Sequence, residues 1–265
     1  MNKREIEMLD LLKKLRDEYG AISVKAEFEA EGTRTDELLR LVDLARRADL
    51  KVALKIGGCE AVRDLLESKQ FGVEYIIAPM VETPYALKKY IEAKNKVYSL
   101  DQQEHTDFLF NVETITTFNA LDKMVEVAMA ADGVEGIVFG RVDFAGSMLL
   151  PRARIDSDEL TEYMLSTGKA CKENGLDLVV GGAVSSSSLG PLKALYSIHL
   201  TRIETRKVIF NACALDNPRL EMGLEETVYF ELLWLKNKRD YYHHIKHEDN
   251  SRIDMLEKRW AQIRA

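Results

Sequence analysis

The sequence lacks the features of several specialised protein classes. It has only three cysteines in 265 residues and no CxxC pair, so we expect reduced, buried thiols in a cytoplasmic protein rather than a disulfide framework. No apolar run approaches the ~20 residues of a membrane span, and the first ten residues lack the apolar core of a signal peptide. We therefore expect no membrane partner.

An excess of positive charge is also missing. Lys and Arg number 37 against 44 Asp and Glu, which gives a net charge of −7, and no basic block stands out. This balance argues against nucleic acid as a partner. The chain also has no internal repeat and no low-complexity segment. What is present is a hydrophobic share of 46% over 265 residues, which is ample for the core of one barrel-sized domain.

Short apolar runs alternate with amphipathic stretches along most of the chain. The alternation predicts an α/β fold, namely a single (βα)8 TIM barrel over residues 1–225 that includes an N-terminal helix. Residues 226–265 are expected to form a C-terminal helical extension. The eight predicted strands cover residues 22–29, 51–56, 75–78, 96–100, 108–112, 134–139, 176–180 and 198–203.

An acidic residue follows each of two neighbouring predicted strands. The strand over 108–112 ends on Glu113, and after an amphipathic helix the strand over 134–139 leads to Asp143. In a parallel βαβ unit both strand ends open on the same side of the sheet, so these carboxylates should face one pocket. Two carboxylates without His or Cys are hard oxygen ligands, which suit Mg²⁺ or Mn²⁺ better than zinc.

The residues around these two acids resemble a known family. FNVET at 110–114 and GIVFGRVDFAGSM at 136–148 are similar to the metal-binding strand ends of the class II pyruvate-aldolase and citrate lyase beta-subunit family, HpcH/HpaI. GVEYIIAPMVETPYALKKYIEA at 72–93 resembles the strand-three segment of that family. The resemblance extends from about residue 21 to about residue 225.

The resemblance implies a divalent-metal-dependent carbon–carbon lyase or aldolase that acts through a pyruvate-type enolate on a small 2-oxo acid or its aldol product. Mg²⁺ or Mn²⁺ would bind to Glu113 and Asp143 and act as a Lewis acid. The backbone around Gly140, Arg141 and Val142 would hold the substrate carboxylate. Ser185 and Ser186 follow the seventh predicted strand, where barrels often bind phosphate, and are expected to bind a phosphate or a polar tail.

The sequence departs from the family pattern at two strand ends. Lys55 stands where the family usually has an Arg, and it supplies the charge but not a two-pronged contact. Glu29 is expected to move a proton, yet the family's neighbouring His is replaced here by Ala30, and His105 is the only nearby substitute. Structural ion pairs are the alternative roles for Lys55 and Glu29.

Two other functions remain open: a citrate lyase-like acyl-CoA ester lyase, and a barrel that binds a metal and a small acid without turnover. The changes at Ala30 and Lys55 favour the second of these. The C-terminal extension also carries an apolar cluster too large for a free surface helix, and with the family's tendency to pack this helix on a neighbour it predicts a homo-oligomer. Its members are Val228, Phe230, Leu232, Leu233, Trp234 and Leu235.

Overall fold

A closed barrel of eight strands forms the centre of the computed structural model, which describes residues 1–264. Strands β1 to β7 pair in parallel, each with the next, whereas β8 runs antiparallel to both β7 and β1. The prediction of a single TIM-type barrel with flanking terminal helices is confirmed. The strands are β1 (Ala21–Glu27), β2 (Lys51–Lys55), β3 (Tyr75–Ala78), β4 (Asp107–Val112), β5 (Gly136–Gly140), β6 (Asp177–Gly181), β7 (Arg202–Glu204) and β8 (Val208–Asn211).

Helices alternate with the strands and cover the outside of the barrel. Local signals fix many of their ends: α1 begins with a capping box between Asn2 and Glu5 and ends at Gly20, whose φ is 78°. The helices are α1 (Lys3–Tyr19), α2 (Thr35–Arg47), α3 (Val62–Phe71), α4 (Pro84–Val97), α5 (Leu100–Gln103), α6 (Ile115–Asn119), α7 (Leu121–Ala128), α8 (Arg141–Ser147), α9 (Asp158–Asn174), α10 (Leu189–Tyr196) and α11 (Leu220–Arg264).

The strand predicted over residues 96–100 is wrong. This run forms the end of α4, a short bend and the beginning of α5. Val97 and Tyr98 are buried, so the apolar signal reflects a buried helix end rather than a strand. The acids Glu113 and Asp143 therefore follow the fourth and fifth strands, which pair in parallel as expected for neighbours.

The eighth strand lies later in the chain than predicted. The run over 198–203 becomes a strand only at Arg202, and a tight turn over 205–207 then leads into β8. The backbone N–H of Thr205 donates to the carbonyl of Val208 at 2.8 Å, which fixes this hairpin. The barrel thus closes through an antiparallel hairpin instead of a last βα unit, and the hairpin turn reaches the side of the barrel where the parallel strands end.

The barrel interior changes from apolar to charged along its axis. Ile77, Leu109, Val138 and Val179 form a buried cluster at mid-height. Towards the start of the parallel strands, Arg202 pairs with Asp177 at 2.6 Å. Towards their carboxyl ends the interior side chains are charged and surround a pocket, which is where TIM-type barrels place their chemistry.

Helix α11 is buried in its first half and exposed in its second. Phe230, Leu233 and Trp234 pack against the core, whereas Val228, Leu232 and Leu235 stay exposed, so only part of the predicted apolar cluster is satisfied within one chain. From residue 243 to residue 264 every side chain is exposed. The division into a barrel domain over 1–225 and a C-terminal extension over 226–265 stays a prediction. In the structure the last helix, α11, begins at Leu220.

The other general expectations meet mixed outcomes. Among the described residues no helix is both long enough and apolar enough to cross a membrane. The three cysteines are free, but only Cys171 is fully buried, while Cys59 is half-buried and Cys213 is exposed.

Candidate active site

A pocket of about 780 Å³ opens at the carboxyl ends of the parallel strands. Its lining is dominated by charged side chains contributed by strand ends, by the β7–β8 turn and by α11. Two of the four non-glycine residues with positive φ, Met80 and Ala183, lie in the loops after β3 and β6, at this end of the barrel. Strained backbone of this kind concentrates at functional sites because the surrounding fold must hold it in place.

Glu113 lies at the base of this pocket and is only 1% exposed. Its Oε1 accepts a hydrogen bond from the backbone N–H of Met80 at 2.8 Å, and its Oε2 accepts from the Asn111 side-chain amide at 2.6 Å. Since Met80 has a φ of 49°, the backbone adopts an unfavourable conformation in the very segment that directs this N–H at the carboxylate. The carboxylate of Glu113 is therefore held in one orientation.

Asp143 lines the same pocket from the first turn of α8. The residue is solvent-accessible, and within residues 1–264 its carboxylate has no hydrogen-bond or ion-pair partner. Partial burial, and next the negative charge of Glu113, raise the pKa of Asp143 above its ordinary value. This carboxylate thus adds uncompensated negative charge to the pocket, which a bound cation would neutralise.

Two glycines make room for the inward-facing acids. A Cβ at Gly140 would lie 2.8 Å from the Cβ of Glu113, and a Cβ at Gly181 would lie 2.7 Å from the Cγ of Glu204. Both distances are too short for non-bonded carbon atoms. The strand ends of β5 and β6 therefore have to lack side chains for carboxylates to enter the barrel from β4 and β7.

Gly181→Ala is accordingly expected to destabilise the protein by about 1–3 kcal/mol, because the added methyl group overpacks against buried Glu204. Urea denaturation monitored by circular dichroism measures this change. Gly190→Ala is the matched control, since no atom lies within 4 Å of a Cβ at that position. Equal stability of the two variants would show that Glu204 moves aside freely.

Lys55 connects the acids on opposite sides of the pocket. Its ammonium group lies 3.4 Å from Glu113 and 3.4 Å from Glu29. Burial lowers the pKa of Lys55, but the charges of Glu113 and Glu29 outweigh that effect and the pKa is raised. Lys55 therefore stays protonated and presents a fixed positive charge. Oε2 of Glu29 is buried and has no hydrogen-bond donor among the described residues.

A second ion network closes the wall opposite Asp143. Buried Lys25 pairs with Glu204 at 2.7 Å and with Glu27 at 3.1 Å. Further towards solvent, Glu31 accepts from Arg206 at 2.9 Å and from Lys207. These ion pairs neutralise most of the charge on this side of the pocket.

The two carboxylates of Glu113 and Asp143 suit a hard divalent cation, although two ligands are few. No group of three or more His, Cys, Asp or Glu side chains in residues 1–264 is arranged to hold a metal ion. Mg²⁺ and Mn²⁺ are commonly bound by one or two carboxylates, with water and substrate filling the other positions. Glu113, with a fixed carboxylate, and Asp143, with a free one, fit that mode of binding.

The structure brings together some of the predicted site residues and not others. Gly140 and Val142 line the pocket with Glu29, Lys55 and the two acids, but Arg141, Ser185 and Ser186 do not. The side chain of Arg141 is fully buried, and Ser185 bonds to Ser187 on the surface. His105 precedes β4 and so lies at the opposite end of the barrel from the pocket, which makes it unsuitable as a substitute for the missing His.

Sequence reasoning missed several residues that shape the pocket. Asn111 and Glu27 point inward, at positions that alternate along β4 and β1 with residues pointing outward, so the period-two rule could have found them. Lys207 comes from the β7–β8 turn, which the sequence did not reveal because the strand β8 was not predicted.

Comparisons with known proteins agree with this geometry. The sequence model of the HpcH/HpaI aldolase/citrate lyase family matches residues 34–187, which is more than half of the chain. No curated protein matches the chain in sequence.

Solved structures share the fold. An HpcH/HpaI aldolase from Desulfitobacterium hafniense DCB-2 is 13% identical, with a TM-score of 0.59 over 78% of this chain and 84% of the other. The citrate synthase SbnG is 16% identical, with a TM-score of 0.58 over 88% and 90%. Macrophomate synthase is 14% identical, with a TM-score of 0.57 over 88% and 90%. At such low identity these likenesses establish the fold alone.

Proposed function

Because the chain belongs to the HpcH/HpaI aldolase/citrate lyase family, we propose that it is a divalent-metal-dependent carbon–carbon lyase or aldolase. Its substrate would be a small 2-oxo acid or the corresponding aldol product, and the reaction would pass through an enolate. The observation that carries the proposal is the meeting of Glu113, Asp143 and protonated Lys55 in one pocket at the strand ends.

Glu113 and Asp143 are the residues that would hold Mg²⁺ or Mn²⁺. A divalent cation at this position would supply Lewis-acid stabilisation of the negative charge that develops on the substrate oxygen. The Lys55 ammonium group adds a second, fixed positive charge beside Glu113. Because Glu113 and Glu29 already hold the Lys55 ammonium group in position, this charge would need little reorganisation as the reaction proceeds.

The chain's own residues also provide for substrate orientation and proton transfer. The backbone at Gly140 and Val142 borders the pocket next to Asp143 and would orient the substrate carboxylate. Glu29 lines the pocket beside Lys55, and its carboxylate would take the hydroxyl proton of an aldol product. Ala30 leaves this part of the pocket without an imidazole, so Glu29 would act alone.

A direct assay tests the proposal. The protein is incubated with Mn²⁺, pyruvate or oxaloacetate and a panel of aldehydes, and the loss or formation of pyruvate is followed. Turnover that disappears with EDTA and returns with Mn²⁺ is expected. Tight binding of the acids without turnover would instead favour a barrel that binds a metal and a small acid without catalysis.

We further propose that the chain forms a homo-oligomer through the exposed half of α11. Ile253, Leu256, Trp260 and Ile263 recur at intervals of three and four residues, and each is at least 50% exposed. An apolar row with this spacing is typical of a helix that pairs with another helix.

The double variant Leu256→Glu, Trp260→Glu is therefore expected to lower the molar mass measured by light scattering, because it places four charges in a two-helix seam. Gln262→Glu is the control, since residue 262 lies away from the apolar row and should leave the mass unchanged. Wild-type protein that is already monomeric would contradict this proposal.

A further inference from the structure

Arg152 differs from the other cationic side chains that line the candidate active site. Six such side chains line the pocket, and five of them pair with carboxylates of the same pocket: Lys25, Lys55, Arg206, Lys207 and Lys238. Within the part of the chain that the structure describes, the guanidinium of Arg152 has neither an ion-pair nor a hydrogen-bond partner. It is the positive charge in this lining that remains available to an incoming anion.

The backbone that carries Arg152 is anchored on both sides, although the side chain is exposed. Before it, the N–H of Leu150 donates to the carbonyl of Ala145 in α8 at 2.9 Å. After it, Ile155 is buried in the core and Asp156 pairs with buried Arg141 at 2.6 Å. The guanidinium therefore projects from a fixed point on the pocket wall.

The segment that carries Arg152 also packs against the helix that carries the proposed metal ligand Asp143. α8 carries Asp143 in its first turn and ends at Ser147, and the short 3₁₀ turn over 152–154 contacts the same helix. The α11 side of the pocket is different, since Glu231 and the apolar residues Val228 and Leu235 line it. That side offers no unpaired positive charge, so an anionic group in the outer pocket would bind to Arg152 instead.

We propose that Arg152 is a specificity-determining residue that selects substrates with a second anionic group. That group would be a carboxylate at the end of the molecule remote from the 2-oxo acid. The inference rests on the proposed function, because it takes the 2-oxo end to be bound near Glu113 and Asp143. A guanidinium binds a carboxylate with two parallel hydrogen bonds, whereas an uncharged tail would gain nothing from it.

Binding of two matched acids tests this role without requiring turnover. 2-Oxoglutarate and 2-oxopentanoate have the same five-carbon chain and differ only in the terminal carboxylate. In calorimetry with Mn²⁺ present, the wild-type protein is expected to bind 2-oxoglutarate about 10-fold more tightly, as for one charge-assisted contact. Arg152→Gln is expected to remove this preference while leaving the affinity for 2-oxopentanoate unchanged.

Arg154→Gln is the matched control. Arg154 lies two residues further on, contacts Glu159 at 3.4 Å and does not line the pocket, so this variant should keep the full preference. Wild-type protein that binds the two acids equally, or binds neither, overturns the proposal, as does a preference that survives Arg152→Gln. If the preference depends on Arg152 but no EDTA-sensitive turnover is found, the inference about Arg152 stands and the proposed lyase function fails.

Discussion

Asp143→Asn is expected to lower kcat/KM by at least ~10²–10³, the usual effect of removing one preorganised electrostatic group from an active site. The amide keeps the size of the side chain but removes the negative charge that would hold a divalent cation with Glu113. Steady-state kinetics over a range of Mn²⁺ concentrations measures the change. The loss should persist at high Mn²⁺ if the carboxylate orients the cation as well as attracting it.

The same substitution should not weaken the fold. The Asp143 carboxylate has no partner among the described residues, and the charge of Glu113 repels it. The free energy of unfolding of the variant is therefore expected to stay the same or to rise, as is common when an active-site charge is removed. Asp122→Asn is the control, because Asp122 lies in the first turn of α7 and outside the pocket lining. A similar loss of activity in both variants would contradict the role of Asp143 as a metal ligand.

Arg141→Met is expected to have the largest effect on stability, a loss of about 3 kcal/mol in the free energy of unfolding. The guanidinium of Arg141 is fully buried. It donates to Asp156 at 2.6 Å, to the carbonyl of Gly182 at 2.7 Å and to Ser188 at 3.0 Å. Methionine fills much of the volume but leaves these buried acceptors without a donor.

Chemical denaturation of Arg141→Met and Arg154→Met separates this effect from that of an ordinary surface arginine. Arg154 is about half exposed, and its single ion pair should contribute no more than ~1 kcal/mol. The Arg141 variant should also lose activity, because Arg141 ties the start of α8, and hence Asp143, to the end of β6. If the free energies of unfolding of Arg141→Met and Arg154→Met are similar, water must satisfy the acceptors of Arg141 with little loss of stability, which would contradict this prediction.

The general course of the barrel was predictable because its parallel strands are buried on both faces. Runs such as FLFNV and GIVFG are too short for helices; the first is followed by an acid and the second ends on a glycine, which marks both the strand and its functional end. The run over residues 96–100 carries the same apolar signal but forms the end of α4 and the beginning of α5, and periodicity over five residues cannot separate a strand from a buried helix end.

The site was only partly predictable for a related reason. Glu113 directly follows β4, and Asp143 lies three residues after β5, so the topology alone brings them to one edge. The roles of Arg141 and Arg152 depend on tertiary contacts between loops: one guanidinium is buried against a neighbouring loop, while the other is left unpaired at the pocket. Both are arginines in the same stretch of sequence, and nothing in local pattern distinguishes them.

An anomalous difference map from crystals soaked in Mn²⁺ most directly tests the claim that two carboxylates from adjacent strand ends bind one divalent cation. We expect a single strong peak in the barrel pocket, in contact with the side chains of Glu113 and Asp143, and no such peak in crystals of Asp143→Asn. A peak elsewhere in the molecule, or a pocket peak that persists in the variant, would contradict the account.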